Sequence, residues 1–199
     1  SNAMHDDNFE YLQKNDGKMT LLDFGENGSM NPQDLEIVRK EGHISNVTRD
    51  LSVLTEMDII IVYIQTNYHE ELIQRMAPFI RDGQILLINP GYFSTAYVLK
   101  YCGDKDISVV EAQSSFIDGR IMEPGIFKVG FRNVRNPLGV YPARNLSIVK
   151  EKLDQLGFPF HYMNSVVGAA LHNPNMIVHT IGSLLSIPMI DAMGDEFCM

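Results

Sequence analysis

A histidine just before a predicted helix start is the first candidate for chemistry in this sequence. His172 precedes Asn173 and Pro174, residue types that favour the N-cap and the first position of a helix. Imidazole has an ordinary pKa close to neutral, so it suits proton transfer at physiological pH. We therefore predict that His172 gives and takes a proton. The alternative is a structural histidine that hydrogen-bonds at the helix N-terminus.

Two polar segments that follow strongly apolar runs form the second group of candidates. Residues 65–69 come after an isoleucine-rich run, and Asn89, Pro90 and Gly91 come after the next run. Open α/β sheets bind ligands beyond the carboxyl ends of their strands, where both segments are expected to lie. The polar residues of the first segment are Gln65, Thr66, Asn67 and His69. The alternatives are that His69 simply begins a helix and that the Asn-Pro-Gly sequence is only a tight turn.

The elements that must position these residues alternate between strand and helix. Residues 58–64 and 84–89 are continuous aliphatic runs, a pattern typical of strands buried on both faces of a parallel sheet. Between them, residues 68–80 carry apolar side chains at helical spacing, which gives a strand–helix–strand unit. Further strands are predicted over 18–24 and 107–111, and further helices over 32–41, 51–56 and 95–102. This alternation predicts an α/β fold with a doubly wound, mostly parallel sheet.

The middle of the chain has shorter elements. Residues 127–131 and 138–141 are short apolar runs separated by a loop, and they predict a hairpin. Residues 143–156 predict an amphipathic helix that ends at Gly157, and a short strand is predicted over 158–162.

The last predicted helix, over 175–186, is apolar nearly all round its surface. Such a helix is buried on most sides in a folded protein, so we expect it to pack against a partner, a second copy of the chain. We divide the chain into a dinucleotide-binding-type α/β domain over 4–164 and the beginning of a helical domain over 165–199.

Composition excludes several classes of function. The chain has 199 residues and a formal net charge of −9, which disfavours a general nucleic-acid binder. No apolar run approaches the roughly 18 residues that cross a bilayer. Cys102 and Cys198 have neither metal-ligand nor disulfide-framework spacing, so we predict no metal site and a reduced, cytoplasmic location.

The stretch from residue 58 to about residue 186 resembles the opine dehydrogenases, the octopine/nopaline dehydrogenase family. The resemblance rests on short motifs in order: Tyr68-His69-Glu70-Glu71, Ala77-Pro78, Asp82-Gly83-Gln84, Asn89-Pro90-Gly91, Glu111-Ala112-Gln113, Arg120 and Leu171-His172-Asn173-Pro174. Each motif is weak alone, and their order and spacing make the resemblance specific. It implies a Rossmann domain joined to a helical domain, and reductive condensation of an amino acid with a 2-oxo acid using NAD or NADP.

The resemblance also implies roles for individual residues. His172 is implied to be the catalytic histidine. Arg120 and Asn173 are implied to bind substrate, with the guanidinium holding a carboxylate, although a structural salt bridge is the commoner role of such an arginine. The implied cofactor-binding residues are Asp23, Gln65, Thr66, Asn67, His69, Asn89, Pro90 and Gly91. Asp23 lies at the end of the strand predicted over 18–24, where a carboxylate accepts ribose hydroxyls and favours NAD, or merely caps a turn.

The sequence departs from this family at both ends. It lacks the first strand with the Gly-x-Gly-x-x-Gly loop that binds the pyrophosphate, and most of the helical domain. We therefore expect weak cofactor binding and three possible functions. The first is an opine-dehydrogenase-like NAD(P)-dependent oxidoreductase that is impaired in this form, and the second is an inactive relative that serves as a binding or assembly module. The third is a ketopantoate-reductase-like enzyme, which expects a catalytic lysine, yet no lysine follows Lys152.

Overall fold

The computed structural model describes residues 20–22, 46–123 and 126–193. The strands are β1 Thr20–Leu22, β2 Asn46–Thr48, β3 Ile59–Val62, β4 Ile85–Ile88, β5 Ser108–Ala112, β6 Ile117–Glu123, β7 Ile126–Arg132, β8 Asn136–Tyr141 and β9 Phe160–Tyr162. The α-helices are α1 His69–Met76, α2 Thr95–Cys102, α3 Leu146–Leu153, α4 Val166–Leu171, α5 Pro174–Leu185 and α6 Ile187–Met193. Asp23, Cys198 and the helix predicted over 32–41 lie outside the described residues.

The central sheet has five strands in the order β3-β4-β5-β8-β9. The first three are parallel, with Ile59 opposite Ile85 and Ile85 opposite Ser108. β8 runs antiparallel to β5, and β9 runs parallel to β8. Helices connect the parallel strands, as the need for a crossover between them requires. The predicted α/β class with a mostly parallel sheet is therefore confirmed.

Both faces of the central sheet are covered, which explains why its strands have continuous apolar sequences. Every residue of β4 is at most 2% exposed. On one face, Leu86 and Ile88 belong to a core that includes Ile73 of α1 and Val98 of α2. On the other face, alternate residues of the same strands pack with α3 and with a group of aromatic rings around Phe116. Successive side chains along each strand point to opposite faces of the sheet and therefore pack into two separate cores.

The predicted helix over 143–156 and its end at Gly157 are confirmed. A 3-10 turn at Ala143–Asn145 precedes α3, and another at Asp154–Leu156 follows it. Gly157 has a φ of 73°, the left-handed conformation that commonly ends helices and that glycine adopts without steric cost.

The hairpin predicted between residues 127–131 and 138–141 is wrong. β7 pairs instead with β6, which places Phe127 opposite Ile121. β8 joins the central sheet, where Val140 pairs with Val110 and both are buried. Short apolar runs indicate strands but not their partners, and β6 has a mixed polar sequence that gave no strand signal.

Two other features differ from the sequence-based expectations. β2 was not predicted, although it pairs in parallel with β1, with Thr20 opposite Asn46. The apolar helix α5 forms as predicted, but the described residues leave its apolar side chains exposed: Ile177, Val178, Ile181, Leu184 and Leu185 are 50–78% exposed. Burial of this helix therefore requires a contact that the described residues do not make.

Candidate functional site

The candidate site lies at the carboxyl edge of the central sheet. Because β3, β4 and β5 are parallel and in register, the segments that follow them emerge side by side. Backbone hydrogen bonds continue this alignment beyond the strands, from Asn89 to the Val62 carbonyl and from Gly91 to the Ala112 carbonyl, each 2.9 Å long. The first residue of β8, Asn136, belongs to the same edge because β8 runs in the opposite direction.

The side chain of Asn89 is the most unusual polar group at this edge. It is fully buried, and no residue in the described part of the chain bonds to its Oδ1 or its Nδ2. A buried amide without partners costs free energy, so such groups normally find a hydrogen-bond partner in the protein, in water or in a ligand. Its position at the edge where α/β sheets bind ligands makes Asn89 a candidate ligand contact.

Asn136 also has a buried polar atom without a described hydrogen-bond partner, but only one, whereas Asn89 has two. Its side chain is buried, and its Nδ2 donates to the Asn133 carbonyl at 3.3 Å. Within the described ranges, its Oδ1 accepts no hydrogen bond. The sequence gave no reason to single out Asn136, because its neighbours resemble an ordinary loop.

Gly91 allows the chain to pass close to a buried carboxylate. A Cβ at this position would lie 2.4 Å from Cβ of Glu111, so a side chain does not fit without a shift. Glu111 itself is fully buried on β5 and accepts hydrogen bonds from the backbone of Phe93 and Thr95. The predicted Asn-Pro-Gly turn is therefore part of a larger loop held by β5.

The segment after β3 is divided between exposed and buried residues. Gln65, Thr66 and Asn67 are exposed at the carboxyl edge. His69 begins α1, as the alternative interpretation expected, and is fully buried. Its Nδ1 lies 2.6 Å from the Ser94 hydroxyl and its Nε2 lies 3.2 Å from the Ile64 carbonyl. Both ring nitrogens are thus bonded within the protein, and burial lowers the pKa of His69.

His172 lies at the junction between α4 and α5. Its side chain is exposed, and Nδ1 lies 2.8 Å from the Gly168 carbonyl one helical turn earlier. A carbonyl only accepts, so Nδ1 carries the proton and the Nε2 of a neutral ring has a free lone pair. In the described part of the chain, no group bonds to Nε2. The ring is therefore fixed in orientation and open to a proton at one nitrogen.

Asn173 and Gln113 attach this junction to the carboxyl edge of the sheet. Asn173 is 1% exposed, and its Nδ2 donates to the backbone carbonyl of Gln113. In return, Nε2 of Gln113 donates to the carbonyl of His172. Oδ1 of Asn173 accepts from the Asn175 amide and so caps α5, as the sequence predicted. The amide predicted to bind substrate is thus bonded to the protein at both of its polar atoms.

Arg120 lies on β6, where its backbone is in register with that of Lys128. The Tyr63 hydroxyl donates to the Ile117 carbonyl at 3.1 Å and so connects the end of β3 to the start of β6. The β6–β7 hairpin is thereby attached to the carboxyl edge. The substrate-binding role of Arg120 stays a prediction, as does the ribose contact of Asp23.

Other parts of the described chain offer weaker sites. A cavity of about 170 Å³ lies at the opposite edge of the sheet, between Cys102, Ile107 and Tyr141. The described residues contain no group of three histidine, cysteine or acidic side chains that could hold a metal ion. Among the helices of the described ranges, none is long and apolar enough to cross a membrane.

The fold is of the Rossmann type, as in the structurally similar dehydrogenases and reductases. A structure of octopine dehydrogenase in complex with NADH and agmatine is similar with a TM-score of 0.65 at 15% identity, over 90% of this chain and 52% of that one. A PanE/ApbA family ketopantoate reductase from Ralstonia eutropha JMP134 is similar with a TM-score of 0.58 at 11% identity, over 82% of this chain and 54% of that one.

In sequence, the chain is similar to the opine dehydrogenase of Arthrobacter sp. (strain 1C), with 22% identity over 149 residues. That match covers 72% of this chain and 42% of the relative, so the chain spans less than half of the relative's length. No protein-family model matches the sequence. The predicted resemblance to the opine dehydrogenases is thus confirmed.

Proposed function

We propose that the chain binds the nicotinamide end of the cofactor and supplies the proton-transferring histidine in an NAD(P)-dependent oxidoreductase. The proposed reaction joins an amino acid to a 2-oxo acid. The observation that carries this proposal is the buried amide of Asn89, which has no partner in the described part of the chain and lies at the ligand edge. The sequence and structural relatives named opine and octopine dehydrogenase support the choice of reaction. We place the boundary between the sheet domain and the helical part after residue 164.

The residues at this edge fit the nicotinamide end of such a cofactor. A carboxamide offers an amino group that donates and a carbonyl oxygen that accepts, and these complement Oδ1 and Nδ2 of Asn89, which have no described partner. Pro90 and Gly91 continue the same loop, and the exposed residues Gln65, Thr66 and Asn67 lie on the neighbouring segment. When bound, the cofactor supplies a hydride to the reacting carbon.

His172 and Arg120 act on the substrate in this proposal. His172 exchanges a proton with the substrate through Nε2, while the Nδ1 bond to Gly168 holds the ring in one orientation. Arg120 holds a substrate carboxylate. Asn173 does not contact the substrate in this proposal. Its bonds to Gln113 and Asn175 fix the junction on which His172 lies.

Titration with NADH and NADPH, followed by nicotinamide fluorescence, tests the proposal. We expect weak but saturable binding that Asn89→Leu weakens further by about tenfold, the effect of losing one or two buried hydrogen bonds. Because this amide has no described partner in the free protein, the substitution removes no hydrogen bond there and leaves the unfolding free energy nearly unchanged. Asn145→Ala is the control, since its amide bonds Ser108 away from the ligand edge at 2.9 Å.

Two results would contradict this function. If the chain shows no saturable binding of either nucleotide below millimolar concentration, the polypeptide as given is the non-catalytic relative that the sequence also allowed. If nucleotides bind but no pairing of an amino acid with a 2-oxo acid consumes NADH, the reaction class is wrong. A ketopantoate-type activity would then be assayed by NADPH oxidation.

The apolar helix α5 supports a second proposal, self-association of the chain. Pro174–Leu185 contains no charged residue, and its large apolar side chains are exposed in the described structure. Exposed apolar patches of this kind mark interaction surfaces. Sedimentation velocity tests this: we expect a dimer that Ile181→Lys converts to a monomer. Val134→Lys, at a site that is 89% exposed on a loop, is the control that leaves the dimer intact.

We also propose a cytoplasmic location. The described cysteine, Cys102, is free and buried at the end of α2, and burial raises the pKa of its thiol. Such a thiol is protonated and suits a reducing compartment. Cell fractionation with a compartment marker tests this location, and recovery in an oxidising compartment would contradict it.

A further inference from the structure

The loop that carries Asn89 has a strained backbone. We call residues 89–94 the 89–94 loop. Tyr92 and Phe93 have φ values of 49° and 65°, a left-handed conformation that side chains other than glycine rarely adopt. Two such residues in succession persist only where surrounding contacts hold them. The contacts that hold this loop therefore decide where the Asn89 amide lies.

The first of these contacts is the buried imidazole of His69. The Ile64 carbonyl only accepts, so Nε2 of His69 carries the proton and donates it across 3.2 Å. Nδ1 then accepts from the Ser94 hydroxyl across 2.6 Å. This arrangement requires a neutral ring, which burial favours by lowering the pKa of His69. The imidazole thus bridges the segment that follows β3 and the last residue of the 89–94 loop.

The second contact is the buried carboxylate of Glu111. One oxygen accepts the Phe93 amide at 3.0 Å, and the other accepts the amide and hydroxyl of Thr95 at 2.7 and 2.6 Å. These bonds hold the loop from the β5 side. The loop contacts Glu111 so closely at Gly91 that a Cβ there would overlap the carboxylate.

We propose that His69 and Glu111 are positioning residues that act together through the 89–94 loop and hold the Asn89 amide for its ligand. Their bonds reach Phe93, Ser94 and Thr95, while Asn89 itself is left without a described side-chain partner. The two residues come from different elements, α1 and β5, so the loop is held from both sides. This inference rests on the proposed function only for the identity of the ligand, a nicotinamide.

Ser94→Ala and Ser108→Ala form a matched pair for the test. Both serines are buried and each makes one side-chain hydrogen bond, but Ser108 lies at the amino end of β5, where it bonds Asn145. We expect Ser94→Ala to accelerate amide hydrogen exchange at Phe93 and Thr95 by about tenfold, which corresponds to the loss of one buried hydrogen bond. Ser108→Ala leaves the exchange of these amides unchanged. Thermal unfolding of both variants separates this local effect from global destabilisation.

NADH affinity is the second readout, because a merely structural hydroxyl would not change it. We expect Ser94→Ala to weaken NADH binding by about tenfold and Ser108→Ala to leave it unchanged. Thr95→Val, which removes only the hydroxyl that Glu111 accepts, should act in the same direction. It also replaces Ser94→Ala if that variant does not fold.

The outcomes distinguish this inference from the proposed function. Unchanged exchange at Phe93 in the Ser94→Ala variant would overturn it, and so would faster exchange with unaltered NADH affinity. If the wild-type chain binds no NADH, the proposed function fails, and the exchange measurement alone decides whether His69 and Glu111 hold the loop.

Discussion

Replacement of Asn173 by alanine gives a quantitative test of the junction that carries His172. The substitution removes the N-cap of α5, which costs about 1 kcal/mol. It also removes the donor to the Gln113 carbonyl, a buried hydrogen bond that contributes about 1 kcal/mol. We therefore expect the free energy of unfolding to fall by about 2 kcal/mol, and the melting temperature by about 4–8 °C.

Asn173→Asp separates the two contributions. Aspartate caps helices as well as asparagine does, so the cap on α5 is retained. The donor to Gln113 is lost, and a carboxylate oxygen then faces a carbonyl oxygen. We expect a loss of at least about 1 kcal/mol, all of it from the bond to the sheet.

Urea unfolding followed by far-ultraviolet circular dichroism measures both variants. Asn175→Ala is the control, because its exposed side chain lies in the same first turn and only its backbone amide takes part in the cap. We expect this control to stay within about 0.5 kcal/mol of the wild type. If Asn173→Ala also stays within that range, the junction is not fixed to the sheet in the way described.

Three further predictions concern stability. Gly91→Ala places a Cβ 2.4 Å from Cβ of Glu111, so we expect a loss of about 1–3 kcal/mol in urea unfolding, and an unchanged midpoint would mean that the loop has room to move. Because burial lowers the pKa of His69 below its ordinary 6.5, the unfolded chain binds more protons there, and the unfolding free energy falls as the pH drops from about 6.5 to the folded-state pKa. His69→Gln should remove this part of the pH dependence, and identical profiles for both proteins would contradict the assignment. Gly157→Ala forces a Cβ into a φ of 73° and should cost about 1 kcal/mol by thermal unfolding, whereas Gly157→Asn, which tolerates this conformation better, should cost less.

The main elements of the fold were predictable because burial determines where apolar residues occur along the sequence. Ile85–Ile88 is buried on both faces and has a continuous aliphatic sequence, which is what the prediction used. The predicted bounds of Thr95–Cys102 match the observed helix. Local patterns of this kind carry the information about secondary structure that a single sequence contains.

The pairing of the shorter strands was not predictable in the same way. β8 was expected to pair with β7, its neighbour in sequence, but it pairs with β5. Strand partners are decided by which apolar faces meet in three dimensions, and a run of four or five residues does not encode that choice.

The candidate site was predictable as segments but not as a network. The loops after β3 and β4 were expected to lie at the carboxyl edge of the central sheet, because the ends of parallel strands meet there. The bond between His69 and Ser94 spans 25 positions, and that between Gln113 and Asn173 spans 60, so no local pattern indicates them. One signal was present: Glu111 is a charged residue inside an apolar strand, and buried charges require partners.

At the base of the β6–β7 hairpin, next to the paired residues Ile117 and Arg132, the Asn133 amide donates to the Phe116 carbonyl at 3.0 Å. The chain therefore leaves the sheet domain and returns to it at almost the same point. An insert with adjoining ends can change in length or composition without moving the strands on either side, as surface loops do. Exchange of residues 117–132 between relatives would thus replace the hairpin as a unit, including the position of Arg120, and leave the 89–94 loop in place.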